Sequence, residues 1–460
     1  MEKSLVQEKI APVWFYSLAV LITQLDGGAV STLLSSVMKQ YAISSATASW
    51  MSGLYTLGLV IATPVVANLI DIYGERRSFL AELACWFAGA LVTFLGPNYE
   101  VVLAGRAIQA VGDCGIIVMS IDAMIVSARA NHQGRKVSLM GIMSGLAALL
   151  APIVAGLTVA STQNWHSFYG LMLPLIFILF LLGWKVLPNQ VQTREKHSDR
   201  AGAIVFSLGL ASWMVALTLA QQIQRFWPVV LILIIVGMIC FAFFPAIERR
   251  LPGNRQPFLP LKLLKKRTYL AAVILGTLGG MFFPLFVYIP TYGEQVFHLP
   301  VQMAGMILTA PGLGSIIGSA IGGVMVDKAG TRTTLIAASC LMMLATVGIV
   351  FTITSLSSFL LFSFVMGCGM GALMSAPLQV IAGRLAGHND RAEAIGGLSA
   401  CKKVGLTIGP LFFATSMDLL AKGGRLTILS FQSIFMLAAL IALICVGIAA
   451  IMPGGGNDNE

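Results

Sequence analysis

Fourteen stretches of this chain are almost continuously apolar over roughly 20 residues, the length an α-helix needs to cross a hydrocarbon core. They lie near 13–36, 47–70, 79–96, 101–126, 137–160, 168–187, 201–221, 227–246, 269–290, 301–326, 334–352, 357–383, 394–417 and 429–452. Within a bilayer each segment must satisfy its own backbone hydrogen bonds, and these runs do not alternate as barrel strands would. The fold class expected is an all-α membrane protein with 14 transmembrane helices. Composition agrees: 10% of the 460 residues are charged, against about 25% in a soluble protein. A water-soluble globule, a disordered chain and a disulfide-stapled secreted chain are thereby excluded.

The net charge of +10 would suggest nucleic acid in a soluble protein, so the location of the positive residues matters. With the N-terminus inside, 22 Lys and Arg fall in cytoplasmic segments, 4 fall outside, and three (Arg106, Lys402, Lys403) fall within spans. This asymmetry puts both termini in the cytoplasm of a multi-pass cell-membrane protein, a bacterial cytoplasmic membrane being expected, and gives no reason to invoke nucleic acid. The N-terminal segment is not a secretory signal, because its apolar stretch is long and holds an Asp. Seven cysteines lie singly, without metal or redox spacing, and no Gly-x-x-x-x-Gly-Lys loop is present. No metal, no cofactor and no enzyme activity are expected.

Asp71-Ile-Tyr-Gly74-Glu-Arg76 follows the second run, and Asp327-Lys-Ala-Gly330-Thr-Arg332 follows the tenth, 256 residues later. The first and ninth runs share that offset, and Pro152 and Pro410 are 258 apart. These matches indicate two parallel six-helix repeats around a central cavity, with two extra helices inserted between them. The divisions expected are 1–188, 189–268 (insertion and basic linker, including Lys262 to Arg267) and 269–460.

On these residues the chain resembles the major facilitator superfamily, in particular its fourteen-helix drug/proton antiporter branch. The loop signature appears as Asp71, Gly74, Arg76 and Arg77, with Asn68 where the family prefers Gly. The span 4 signature appears as Arg106-Ala-Ile-Gln109-Ala-Val-Gly112. The antiporter signature is loose at Ala147-Ala148-Leu149-Leu150-Ala151-Pro152-Ile153-Val154-Ala155-Gly156, where alanine replaces three glycines; Gly405 to Pro410 matches its first part better. The resemblance implies alternating access, with protons as the coupling ion and a small organic molecule as substrate.

Ionisable groups at mid-bilayer are costly and are therefore functional candidates. Asp26 lies halfway along the first run, beside Gln24, and Asp113 lies in the fourth. Arg106 is seven residues before Asp113 and shares its face, with Gln109 between. Asp26 reads as a protonation site; the competing reading is a carboxylate permanently paired with Arg106 or a lysine. Asp113 is either a second protonation site or Arg106's fixed partner. Lys402 and Lys403 point about 100° apart, so one of them is expected to face the cavity. With Arg106 they give +3 against −2 from the two acids, which suits an organic anion as well as a lipophilic cation. Phe283, in the cluster Phe282-Phe283-Pro284-Leu-Phe286, would add an apolar binding wall, or else face lipid.

Gating falls to the loop residues. Asp71 and Asp327 are placed to accept from helix N-termini or arginines. Asp122 would pair with Arg76 or Arg77 as a latch, and Arg332 repeats Arg76. Pro152, with small neighbours, would let its helix bend and seal one side of the cavity, ordinary close packing being the alternative. Glu82 is expected at a span end, solvated or paired. The function expected is proton-coupled export of lipophilic drugs or related molecules by a monomer in the lipid bilayer. The alternative is a dedicated exporter of an endogenous anionic metabolite such as a siderophore or lipid; a channel, a receptor and a membrane enzyme are further classes.

Overall fold

The computed structural model of the chain describes residues 12–43, 45–48, 50–128, 132–188, 197–198, 200–220, 223–249, 255–256, 261–299, 303, 306–351, 355–386, 391–420 and 428–452. The glycine-rich tail falls outside them, while the basic stretch Lys262 to Arg267 falls within them. The first half comprises α1 (Val13–Tyr41), a short α2 (Ser45–Ala48), α3 (Trp50–Tyr73), α4 (Glu75–Leu95), α5 (Tyr99–Asp113), α6 (Ile116–Val126), α7 (Gln133–Thr162) and α8 (His166–Val186). The insertion forms α9 (Arg200–Ala220) and α10 (Ile223–Arg249), followed by α11 (Leu261–Leu264). The second half comprises α12 (Arg267–Gly280), α13 (Leu285–Gln295), α14 (Thr309–Phe351), α15 (Leu356–Met374), α16 (Ala376–Leu385), α17 (Arg391–Leu419) and α18 (Ile428–Ile451).

Among the described residues the regular structure is helical, apart from one parallel two-residue pairing of His197–Ser198 with Arg255–Gln256, on either side of the insertion. Among the described residues, nine helical stretches are both long and apolar enough to span a membrane. One of these, α14, holds two of the fourteen runs, because the chain turns at Gly330 without leaving helix-type hydrogen bonding. Three further runs are interrupted: α5/α6 at Cys114–Gly115, α12/α13 at Met281–Pro284, and α15/α16 at Ser375.

The repeated loop signature has a backbone reason. Gly74 and Gly330 occupy equivalent places in it and have φ of 83° and 85°. A Cβ at either position would clash with the chain's own carbonyl, so the turn between the paired helices requires glycine. The arginines two residues further on are also equivalent. Arg76 donates to the Trp184 carbonyl at 2.7 Å and lies over the Trp184 ring, and Arg332 donates to the Ala450 carbonyl at 2.6 Å. Each one caps the C-terminal carbonyls of the last helix of its own half, α8 and α18, where a cation also suits the helix dipole.

Small residues set how closely helices approach. α4 lies against α5 along Gly89, Gly105 and Gly112; a Cβ on Gly112 would stand 2.2 Å from the Trp86 backbone nitrogen. The second half repeats this between α14 and α15, where a Cβ on Gly371 would stand 2.1 Å from the Ser315 carbonyl oxygen. The insertion packs beside both halves: Leu210 and Met214 of α9 meet Leu57 of α3 and Val404 of α17. The outer side of α10 exposes Leu231, Ile235, Met238 and Phe243, a surface suited to lipid.

The halves meet mainly along α7 and α14. Gly134 touches Gly323, Gly145 touches Ile316, and Leu149 touches Gly312. Beyond Leu149, Pro152, Ile153 and Leu157 are exposed. The halves therefore close at the end of the bundle that carries Arg76, Arg135, Arg332 and Arg391, here termed the basic end.

Candidate functional site

A charged network lies between α1, α3, α4 and α5 inside the first half. Asn98 begins α5 by accepting from the Val101 N–H at 3.0 Å, and the helix then places Arg106, Gln109 and Asp113 along one buried face. Arg106 and Asp26 are both fully buried. Arg106 Nη1 lies 3.2 and 3.1 Å from the two carboxylate oxygens of Asp26. Gln109 Nε2 and Trp86 Nε1 each donate to Asp26 Oδ2 at 3.3 Å. Arg106 Nη1 also donates to Gln109 Oε1 at 2.9 Å, and its guanidinium lies 4.0 Å from the Tyr55 ring centroid. Two buried charges are tolerable only when paired and hydrogen-bonded, and this set supplies both conditions.

The sequence left Asp26 between a free protonation site and a carboxylate paired with Arg106; in this arrangement it is paired. Asp113 differs. It is not Arg106's hydrogen-bond partner; its Oδ2 accepts from the Tyr55 hydroxyl instead, because Asp113 lies two turns along α5, beyond the reach of a guanidinium turned toward α1. Asp113 Oδ1 and Arg106 Nη2 are buried without a hydrogen-bond partner.

The two lysines diverge as adjacent helical residues must. Lys403 crosses to the first half and donates to Thr63 Oγ1 at 3.2 Å, while Lys402 stays in its own half and donates to the Met374 carbonyl at 2.6 Å. The positive surplus inferred from the sequence is accordingly not displayed as a patch. Gln24 donates to Ser144 Oγ at 3.1 Å, tying α1 to α7. Phe283 is exposed and meets Phe286 edge-on.

At the basic end a second set of contacts crosses between the halves. α7 has no capping side chain of its own. Asp327 of the second half caps it, accepting from the Gly134 N–H at 2.7 Å and the Arg135 N–H at 3.0 Å, with Arg135 Nε at 4.0 Å. Arg384 donates to Gln133 Oε1 at 2.8 Å. Asp122 pairs with Arg391 at 3.6 Å. This corrects the expected latch to Arg76 or Arg77: Arg76 is taken by Trp184 and Arg77 is exposed, whereas Asp122 sits on the face of α6 turned toward the second half. The side chain of Asp71 lies outside the described residues. Pro152 is exposed, and its small neighbour Ala151 packs on Gly28 of α1 within the same half.

Sequence reasoning missed Tyr55, Trp86, Thr63 and Ser144, single polar groups in apolar runs whose partners come from other helices. It also misplaced Glu82, which is buried. An acid inside the 79–96 run was the available signal.

The Major Facilitator Superfamily model matches residues 16–352 and 295–454. An uncharacterized MFS-type transporter of Bacillus subtilis, YfiU, is 30% identical over 424 residues, 90% of this chain and 81% of that one. Multidrug resistance protein Stp of Mycobacterium tuberculosis is 23% identical over 399 residues, 85% of this chain and 73% of that protein. The crystal structure of the human organic anion transporter MFSD10 (TETRAN) shares the fold, with a TM-score of 0.65 over 95% of this chain and 98% of that one at 14% identity. With a helical fold that buries a charged network inside its first half and a family match along nearly its whole length, the chain belongs to the Major Facilitator Superfamily and is a multi-pass membrane transporter.

Proposed function

We propose that the protein is a proton-coupled antiporter that exports lipophilic drugs or related small organic molecules. The observation that carries this reading is the buried set of Asp26, Arg106 and Asp113, set within the half that contacts Lys403 of the other half. Two carboxylates held out of water, one of them with an unpartnered oxygen, are suited to taking up and releasing a proton as water access changes. The multidrug relatives support a lipophilic substrate.

On this reading the fourteen runs cross the cell membrane, both termini and the basic end are cytoplasmic, and the protein works as a monomer. The present arrangement, closed at the basic end by Asp327, Arg384 and the Asp122–Arg391 pair, faces outward. An acid of the network takes a proton there. Separation of the α7–α14 contact then opens the site inward, the proton leaves, and substrate loads in its place. Asp71, Gly74, Arg76, Arg77 and Arg332 shape the gate loops.

In everted vesicles from cells expressing the chain, ethidium addition is expected to release protons from an imposed gradient. Asp26→Asn is expected to abolish that release, and transport unchanged by it would remove Asp26 from the mechanism.

A further inference from the structure

Glu82 is 6% exposed and takes no part in the hydrogen bonds of Asp26. Its Oε2 accepts from the Gly115 N–H at 2.9 Å, where α5 has stopped and α6 begins. Its Oε1 has no hydrogen-bond partner. Asp113, the last residue of α5, is in the same condition: 2% exposed, one oxygen held by Tyr55 and the other unpartnered. The two carboxyls are within electrostatic reach of each other and of Lys403, which arrives from the other half.

The backbone is built to bring them together. A Cβ on Gly115 would stand 2.1 Å from Glu82 Oε1, and Gly112 lets α4 lie directly on α5 one turn earlier. The other groups facing the pair are Tyr55 and Thr63 of α3, Cys85 of α4, Arg106 of α5, Cys114 in the break itself, and Asp26 of α1. Asp26 and Arg106 neutralise each other, and Lys402 is turned away to Met374.

Charge decides what such a group binds. Fully ionised, Glu82, Asp113 and Lys403 sum to −1, and a single proton brings the set to zero. Two carboxylates in one dry site do not both ionise readily, and a carboxyl proton converts one oxygen from acceptor to donor. We propose that Glu82 and Asp113 are a carboxylate pair holding one proton between them at the break in the helix, with Lys403 as the counter-charge carried by the second half. Neutrality favours the proton while the halves are closed on the pair. When α17 withdraws and water enters, that constraint lapses and the proton leaves. This rests on the proton-coupled reading above and adds Glu82 as a second carrier; if Glu82 only capped α6, its titration would be irrelevant to transport.

The test uses the full chain in detergent under weak buffering, with tetraphenylphosphonium as the probe and a pH-indicator dye as the readout. Binding to the wild type is expected to release protons. Glu82→Gln keeps an oxygen for the Gly115 N–H, yet is expected to lower the release as much as Asp113→Asn, with the double variant no lower than either. Wild-type release in Glu82→Gln overturns the pair and leaves the proton-coupled reading standing; binding without release in the wild type overturns both. A second measurement needs neither variant nor probe. Dicyclohexylcarbodiimide modifies protonated carboxyls in apolar surroundings, and peptide mass mapping of the wild type is expected to show Glu82 and Asp113 modified with one shared midpoint as pH falls. A Glu82 that stays unmodified across the range overturns the pair.

Discussion

In the first half α5 stops at Asp113 and α6 restarts at Ile116; in the second, α15 stops at Met374 and α16 restarts at Ala376, 261 and 260 residues later. The first break is met by a carboxylate, Glu82, on the N–H of Gly115. The second is met by an ammonium, Lys402, on the carbonyl of Met374. Each charge suits the helix end it touches, since N–H groups are exposed where a helix begins and carbonyls where one ends. The surroundings differ more than the breaks do. Beside the first lie Asp26, Arg106 and Asp113, all buried; beside the second, Ser375, Gln379 and Ser399 are buried without acids among the described residues. One backbone plan thus carries buried acids at one break, and a lysine with neutral polar groups at the other. On the proposed reading, the capacity to carry protons is local to the first half.

The sharpest way to break this comparison is Arg106→Ala. It leaves Asp26 buried without its counter-charge and is expected to cost about 3–5 kcal/mol, whereas Lys402→Met in the second half loses one charged hydrogen bond at a half-buried site and costs about half as much. Thermal unfolding of the detergent-solubilised variants measures both, and equal losses would mean that the two interiors are not energetically distinct.

A smaller effect separates packing from chemistry. Gly112→Ala and Gly371→Ala each force a methyl group into a facing backbone and are each expected to cost about 1–3 kcal/mol. Only Gly112→Ala pushes α4 away from the acids of α5, so per folded molecule it is expected to reduce proton-coupled ethidium efflux severalfold more than Gly371→Ala. Equal efflux in the two variants would place the coupling chemistry elsewhere.

The smallest effect concerns the contact that joins the halves. Asp122 and Arg391 are partly exposed, so Asp122→Asn is expected to change stability by about 0.2–1 kcal/mol, read as the shift of the unfolding midpoint. A loss comparable to that of Arg106→Ala would show that the basic end is held as firmly as the buried network.

Much of this was legible in the chain. The apolar runs, the duplicated Asp-x-x-Gly-x-Arg loops and the acids and bases interrupting the runs are linear features, because a bilayer demands long helices and penalises each buried charge one residue at a time. They were enough to nominate Asp26, Arg106, Gln109 and Asp113 and to place Asp327 against a helix N-terminus. Pairing was not legible. Asp26 joins Arg106 rather than a lysine, Asp113 joins Tyr55, and Asp122 joins Arg391 rather than Arg76; each outcome depends on how helices far apart in sequence are rotated and spaced. Glu82 is the clearest case. Its identity and position were plain in the sequence, but only close packing of α4 on a glycine-lined break turns it from a rim acid into a buried one. Sequence fixes which groups must be taken out of water, since that follows from composition along the chain; tertiary structure alone decides which of them meet, since that depends on ångström-scale contacts between helices.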